Sequence, residues 1–251
     1  MKLSEVKLED LKQFQDRLVE KVQALDCLEK AAQTYTHILY ETFRESIVLA
    51  RFFATIPYSE LPEENQAFVT NLAQSAGIHN LIQPKTLVLS LLGTSGDRNE
   101  WNDRRLSKGH VGIPLASVDF IDAIPMMSRL LKQLGLGLDW INSNDTALVL
   151  KTVGNLSGVF YVHNARTEED NQGRLIIAAQ DFVQAENVET VFGIGGGYLG
   201  SSMFFTTIIF VREPIDRQNI ERFLLQSNKF KTATMQLVSR NQIFDTSYSC
   251  V

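Results

Sequence analysis

One stretch near the C-terminal end, Glu189–Glu213, constrains the fold more than any other part of this sequence. It reads ETVFGIGGGYLGSSMFFTTIIFVRE, with β-branched and aromatic residues before the glycine run Gly195–Gly197. Phe204–Val211 has strand composition, so the stretch predicts two strands joined by a glycine-rich turn, then a helix from about Pro214 or Asp216. A nucleotide-binding glycine run would instead open a helix under a phosphate. The stretch therefore argues against a nucleotide-binding enzyme.

Composition and charge exclude several other classes. The chain has 251 residues, 44% hydrophobic and 21% charged, which fits one large domain or one domain with a helical extension. Its net charge of −5, with no basic stripe, predicts neither nucleic acid nor a membrane surface as a partner. No apolar run reaches transmembrane length and the N-terminus lacks a signal-peptide core, so we expect a cytoplasmic protein. Cys27 and Cys250 support neither a disulfide framework nor a zinc site.

The region from Ser4 to Ser46 contains no proline and no glycine, and it repeats apolar residues at every seventh position: Leu11, Leu18, Leu25, Ala32 and Leu39. This spacing predicts one long N-terminal helix that packs lengthwise on another helix. Two interpretations stay open, a helix that lies on its own domain and a helix that forms a homodimer. We accordingly divide the chain into a dimerising or signalling helix, 1–46, and a sensory domain, 47–251.

Alternating strand and helix patterns fill the rest of the chain. Strands are predicted from Ile47, over 85–96 and over 158–163, and a strand leading into a short helix over 174–186. Helices are predicted over 63–74, over 118–134 with a break at Pro125, and over 217–229. Residues 139–154 give no clear pattern. The order favours an α/β (α+β) fold with an antiparallel or mixed sheet and flanking helices.

The loop from Trp101 to His110 is the chain's densest mixture of aromatic, cationic, acidic and imidazole groups, WNDRRLSKGH. Asp103, Arg104 and Arg105 could form an ion network that pins the loop, or the two arginines could recognise an anionic ligand or a partner. We expect the loop to lie over one face of the sheet and to border the main pocket, with the strand that carries Tyr161 and His163 as a nearby wall.

Histidine allows a further interpretation. His110 and His163 could hold haem or a metal ion if the loop folds over the later strand, although a lone strand histidine is more often a structural residue. No metal site is assigned, and no cofactor follows from the sequence. Catalytic motifs are also absent, because no nucleophile, base and orienting group share a recognisable spacing. An enzyme with Asp103, Arg105 and His110 as a polar cluster remains the alternative.

The order of the C-terminal half resembles GAF-like sensor domains, with the strand ETVFGI, a glycine turn, the strand FFTTIIFVREP and the closing helix DRQNIERFLLQ. WNDR…GHVGIPL together with VFGIGGGY looks like a GAF-related sensory region of bacterial proteins fused to histidine kinases, phosphatases or cyclases. The similarity covers roughly residues 47–236 and implies an antiparallel GAF-like sheet. The chain departs from the pattern in carrying no output domain and no loop cysteine that would hold a bilin, so a bilin photoreceptor is not expected.

These observations predict a cytoplasmic, non-enzymatic sensory or regulatory domain. It would bind a small ligand or a partner, form a homodimer through its terminal helices, and act on an output protein in trans. The expected ligand-binding residues are Trp101, Asp103, Arg104, Arg105, His110, Tyr161, His163, Phe192 and Tyr198.

Overall fold

The computed structural model describes residues 1–136, 138, 141, 153 and 157–248, and its centre is a six-stranded sheet. The strands are β1 (Ile47–Pro57), β2 (Leu87–Gly96), β3 (Gly112–Pro114), β4 (Ser157–Val162), β5 (Thr190–Gly197) and β6 (Phe204–Val211). Their order is β3-β2-β1-β6-β5-β4, and every neighbouring pair is antiparallel. The predicted fold class, an antiparallel sheet with flanking helices, is confirmed.

Eight α-helices accompany the sheet in the described residues. They are α1 (Leu8–Val22), α2 (Leu28–Thr42), α3 (Glu63–Ser75), α4 (Val118–Asp122), α5 (Pro125–Gln133), α6 (Gln180–Ala185), α7 (Arg217–Glu221) and α8 (Leu224–Ser239). The predicted break at Pro125 is confirmed, because α4 ends before it and α5 begins with it. None of these helices combines the length and apolar character needed to cross a membrane.

Long helices cover one face of the sheet. The helices α2 and α8 pack on the strands, and α1 packs on both of them. An aromatic cluster joins these layers: Phe52 of β1 stacks on Phe205 of β6 with ring centroids 5.2 Å apart, and Phe230 of α8 lies 5.0 Å from Phe52 and 5.1 Å from Tyr35 of α2. Such ring pairs add to the free energy gained by burial, so they stabilise the packing of α2 and α8 on this face.

The prediction of one long N-terminal helix is wrong, because α1 and α2 are separate helices. The chain leaves the helix at Gln23, and α2 begins only at Leu28. Two amides of its first turn donate to carbonyls of the C-terminal segment, Leu28 N to Gln242 O at 2.9 Å and Glu29 N to Ile243 O at 2.8 Å. These tertiary hydrogen bonds satisfy amides that a continuous helix would have satisfied internally.

The seven-residue apolar series is buried within the chain. Leu11, Leu18, Ala32 and Leu39 are each less than 5% exposed and share one hydrophobic cluster with the sheet. The periodicity of these four residues therefore reflects packing on the chain's own domain, the first of the two interpretations. The homodimer and the division of the chain at residue 46 stay predictions.

The C-terminal hairpin is confirmed, but its turn lies elsewhere than predicted. Gly195–Gly197 belong to β5 and pair with β6, and the chain turns over residues 198–203, where Gly200 has φ +76°. Neither Gly195 nor Gly196 has a positive φ, so the glycine run does not itself form the turn. A side chain at Gly195 would instead place its Cβ 2.2 Å from the carbonyl oxygen of Phe205.

Two further predictions have clear outcomes. The strand expected before the helix of residues 180–185 is absent from the described residues there, where Leu175 forms only an isolated bridge with Glu169. The ambiguous segment 139–154 lies almost wholly outside the described residues. Neither outcome alters the sheet.

The contact between α2 and β2 depends on a glycine and a glutamine. The register of β1 and β2 shifts between Phe52 and Phe53, so Leu92 is an extra residue in β2. At the neighbouring Gly93 the helix comes so close that a Cβ would lie 2.5 Å from the Ala32 carbonyl carbon. The Gln33 side chain donates to Thr94 O at 2.8 Å and accepts from Thr94 N at 3.1 Å. Close approach at Gly93 thus positions α2.

Gly93→Ala should therefore lower the free energy of unfolding by about 1–3 kcal/mol, because the added methyl group must push α2 away from β2. Urea denaturation measures this change. Gly109→Ala is the matched control, since a Cβ there meets nothing within 4 Å. Equal stability of the two variants would contradict the close packing at Gly93.

Candidate functional site

A cavity of about 540 Å³ opens on the face of the sheet opposite the long helices. This face is covered by α4, α5, α6 and loops, which are shorter than the helices on the other side. Side chains of four strands form its floor: Leu49, Phe53, Leu89, Ile113, Ile208 and Phe210. Met126 and Met127 at the start of α5 form a flexible wall. Its size and apolar walls are those of a small-molecule site.

Arg51 is a cation on this apolar floor. It lies between Leu49 and Phe53 on the same face of β1, and its guanidinium carbon is 5.6 Å from the centre of the Phe53 ring. Nη2 donates to Ser107 Oγ and to Gly109 O, the latter at 3.1 Å. Nε is buried without a partner within the described part of the chain. Burial lowers the pKa of Arg51 to about 10.

The β2–β3 loop (residues 97–111) closes one side of the cavity. Ser107, Lys108, Gly109 and His110 line it, and His110 has φ +55°, in the left-handed region that non-glycine residues seldom adopt. The two hydrogen bonds from Arg51 hold this part of the loop. The pKa of His110 lies below its ordinary value, because surrounding protein partly desolvates the ring and the charge of Arg51 opposes a second cation.

Trp101 begins the same loop and also borders the cavity. Its ring meets Phe182 of α6 edge-on at 5.6 Å, and Arg98 lies over it at 5.0 Å. The Asn102 side chain accepts from Gly96 N at 3.1 Å and donates to Gly96 O at 3.0 Å and Arg98 O at 2.9 Å. These contacts fix the start of the loop against the end of β2. The loop therefore borders this cavity, as expected, and its role in binding a ligand stays a prediction.

The middle of the loop turns toward α2. Arg104, only 6% exposed, donates from Nε to Glu29 Oε1 at 2.7 Å and from Nη2 to Oε2 at 3.0 Å. Arg105 Nη2 donates to Glu29 Oε1 at 2.9 Å, and the backbone N of Asp245 donates to Oε2 at 3.0 Å. We call Glu29, Arg104, Arg105 and Asp245 the Glu29 clasp. It joins the loop, α2 and the C-terminal segment.

Asp103 supports the clasp from outside. Its carboxylate accepts from Arg105 N at 2.9 Å and so caps the short 3-10 turn Arg104–Leu106. Arg104 also donates from Nη1 to Asn65 Oδ1 at 3.3 Å. Of the two interpretations of the Asp-Arg-Arg sequence, the ion network is the arrangement present, although its main carboxylate is Glu29 rather than Asp103.

The other predicted site residues lie away from the cavity. Phe192 and Tyr198 belong to the core on the long-helix face, where Tyr198 Oη is 2.7 Å from Thr234 Oγ1. Burial raises the pKa of Tyr198. Tyr161 Oη donates to Ile215 O at 2.8 Å and lies 2.9 Å from His163 Nδ1. The structure therefore places Trp101 and His110 at the cavity, and the strand β4 does not form its wall.

The two histidines are not brought together. His163 is exposed at the end of β4 and its ring contacts Tyr161, whereas His110 lies at the cavity. Within the described ranges no three residues among His, Cys, Asp and Glu are grouped so that they could hold a metal ion. Asp103 and Arg105 lie at the clasp and not with His110 at the cavity, so the proposed polar cluster of an enzyme is not assembled.

Sequence reasoning missed two residues that the structure makes central, Arg51 and Glu29. Arg51 was visible as a single charge within the apolar strand pattern IVLARFF. Glu29 gave no signal, because a glutamate in a charged helical pattern is ordinarily solvated.

A scan against protein-family models and a search of curated proteins find no match. Among solved structures, the chain is similar to the free methionine-R-sulfoxide reductase from Neisseria meningitidis in complex with its substrate, at TM-score 0.48 and 5% identity over 94% of this chain and 95% of that chain. The GAF domain from Acinetobacter phosphoenolpyruvate-protein phosphotransferase gives TM-score 0.47 and 10% identity over 96% and 99%. The phycocyanobilin-bound GAF domain from a cyanobacterial phytochrome gives TM-score 0.45 and 10% identity, over 94% of this chain and 98% of that chain.

GAF domains are thus among the similar structures, as the sequence resemblance led us to expect. Similarity at this level carries no argument about ligand, reaction or partner. The case for function therefore depends on the cavity and the Glu29 clasp.

We expect His110 to titrate below 6.5, and Arg51→Met to raise its pKa part of the way toward that value. The substitution removes the opposing charge but leaves the larger cause, desolvation. An NMR titration of the imidazole protons measures both values, with His110→Gln to assign the resonance. An unchanged pKa in Arg51→Met would contradict the electrostatic contact.

Arg104→Met should lower the free energy of unfolding by about 3 kcal/mol, because it removes the two-point partner of a buried carboxylate. Urea denaturation gives the value. The control is Arg217→Met, which removes an arginine from the exposed pair with Glu221 and should cost about 0.5 kcal/mol or less. Similar small losses for both would mean that the clasp does not stabilise the fold.

Proposed function

We propose that this chain is a sensory or regulatory domain that binds a small ligand in the 540 Å³ cavity and transmits its presence to the terminal helices. The observation that supports this most is the double role of the β2–β3 loop. Its two ends, at Trp101 and at Ser107–His110, border the cavity, while Arg104 and Arg105 between them hold Glu29 on the other side of the loop.

This geometry gives a physical route for a signal. The loop segments at the cavity are connected to the clasp through fewer than ten residues of chain, so movement at the cavity bears on Arg104. Glu29 lies in the first turn of α2, and its backbone N bonds to Ile243 O. A ligand that favours one loop position would thereby shift the equilibrium of α2 and the C-terminal segment together.

The output belongs to the same proposal. In it, α2 and the C-terminal segment act on a protein in trans, and a homodimer is the assembled form. An enzymatic role is not proposed, because the described residues do not assemble the polar cluster that would carry it. The cytoplasmic location stays a prediction from the sequence.

Amide hydrogen exchange followed by mass spectrometry tests the route. Ala179→Trp places an indole at the cavity lining and should serve as a built-in ligand. We expect slower exchange in residues 99–110 and also in 28–32 and 242–246, because the clasp connects these segments. Ala76→Trp, at the exposed end of α3, is the control and should change exchange only around itself. Changes confined to the cavity walls in Ala179→Trp would contradict transmission through the clasp.

A further inference from the structure

We propose that the ligand is an amphiphile with one carboxylate-like anionic group, which pairs with Arg51, and an apolar body, which fills the rest of the cavity. This inference rests on the proposed function, since it names the ligand class of the same cavity. It follows from the charge on the cavity floor and the composition of its walls.

The charge of Arg51 is uncompensated within the described part of the chain. No carboxylate oxygen there lies within 4 Å of its guanidinium, and its only two hydrogen bonds go to the neutral acceptors Ser107 and Gly109. Arg104 of the β2–β3 loop shows how a buried arginine is ordinarily compensated, because it donates two hydrogen bonds to the Glu29 carboxylate. A desolvated cation without an anion costs free energy, so Arg51 is a site for an anion that the described part of the chain does not supply.

The donors that remain on Arg51 suit a carboxylate. Nη2 donates to the loop and Nε is buried, whereas Nη1 donates no hydrogen bond within the described residues, so its N–H groups remain for a ligand oxygen. A planar guanidinium binds a carboxylate through its N–H groups, and such charge-assisted bonds are stronger than neutral ones. Phe53 beneath the guanidinium holds its plane.

The rest of the cavity selects an apolar body. Its floor is aliphatic and aromatic, and methionines form the wall at α5. The charged side chains besides Arg51 are Lys108 and Glu100, both exposed, and His110 is neutral near pH 7 because its pKa is lowered. One partly buried positive charge therefore faces the ligand, which favours a single negative charge and disfavours a cation.

Isothermal titration calorimetry with four probes of equal chain length tests the inference: octanoate, octyl phosphate, 1-octanol and octylamine. Octanoate should bind the wild-type chain most tightly, with one molecule per chain. Arg51→Met should weaken octanoate about 10- to 100-fold, the loss expected for one charge-assisted contact, and leave 1-octanol nearly unchanged. Arg51→Lys should retain part of the affinity, because the charge stays while the planar guanidinium is lost.

Two controls keep the outcomes separate. Arg217→Met removes an exposed arginine far along the sequence on α7 and should not affect any probe. Ala179→Trp should weaken octanoate and 1-octanol together, since both occupy the cavity. Circular dichroism of every variant verifies that it is folded.

Several results would overturn the inference. Equal affinity for octanoate and 1-octanol, or an equal loss of affinity for both in Arg51→Met, would show that the ligand needs no anionic group. The cavity would still stand as a proposed ligand site. If octyl phosphate binds through Arg51 more tightly than octanoate does, the preferred ligand carries two negative charges rather than one. If no probe binds, or if Ala179→Trp affects none of them, this inference fails, whereas the proposed function is tested separately by the hydrogen exchange of Ala179→Trp.

Discussion

The central strands β1 and β6 carry apolar side chains on both faces, and this constraint shapes the whole molecule. Phe52 and Phe205 face the long helices, while Phe53 and Ile208 face the other side. Both faces must therefore be covered, because exposed apolar surface of this size is unfavourable in water. Three long helices cover one face closely. Among the described residues, the short helices and loops on the other face leave part of it open, and the cavity is that remainder.

Charge pairing explains why two arginines near the same loop have different roles. Arg104 points toward α2, where Glu29 offers both carboxylate oxygens, so its charge is satisfied and it holds the fold together. Arg51 lines the apolar cavity, and among the described residues its hydrogen-bond partners are a hydroxyl and a carbonyl. Both have the same side chain, and the position of the nearest carboxylate decides which of them forms an ion pair within the described residues.

Local patterns in the sequence were sufficient for much of the fold. The C-terminal hairpin, the helix over residues 63–75 and the break at Pro125 follow from side-chain composition and backbone restriction, which act within a few residues. The loop at the cavity was also predictable, since Trp101 and His110 are unusual residues between two apolar elements. Which loop residues border the cavity and which join the Glu29 clasp was not predictable, because the local sequence does not determine the side of the loop on which each side chain lies.

The sequence by itself determined the apolar patterns, the strand composition and the breaking residues, because these depend on near neighbours. Only the tertiary structure decided what those patterns pack against. The carbonyls of Gln242 and Ile243 end the apparent long helix, although more than 200 residues separate them from it. The carbonyl of Phe205 on the next strand, rather than a tight turn, makes a side chain at Gly195 unfavourable. Long-range partners set the free energies of buried charges and close contacts, and a linear pattern does not contain them.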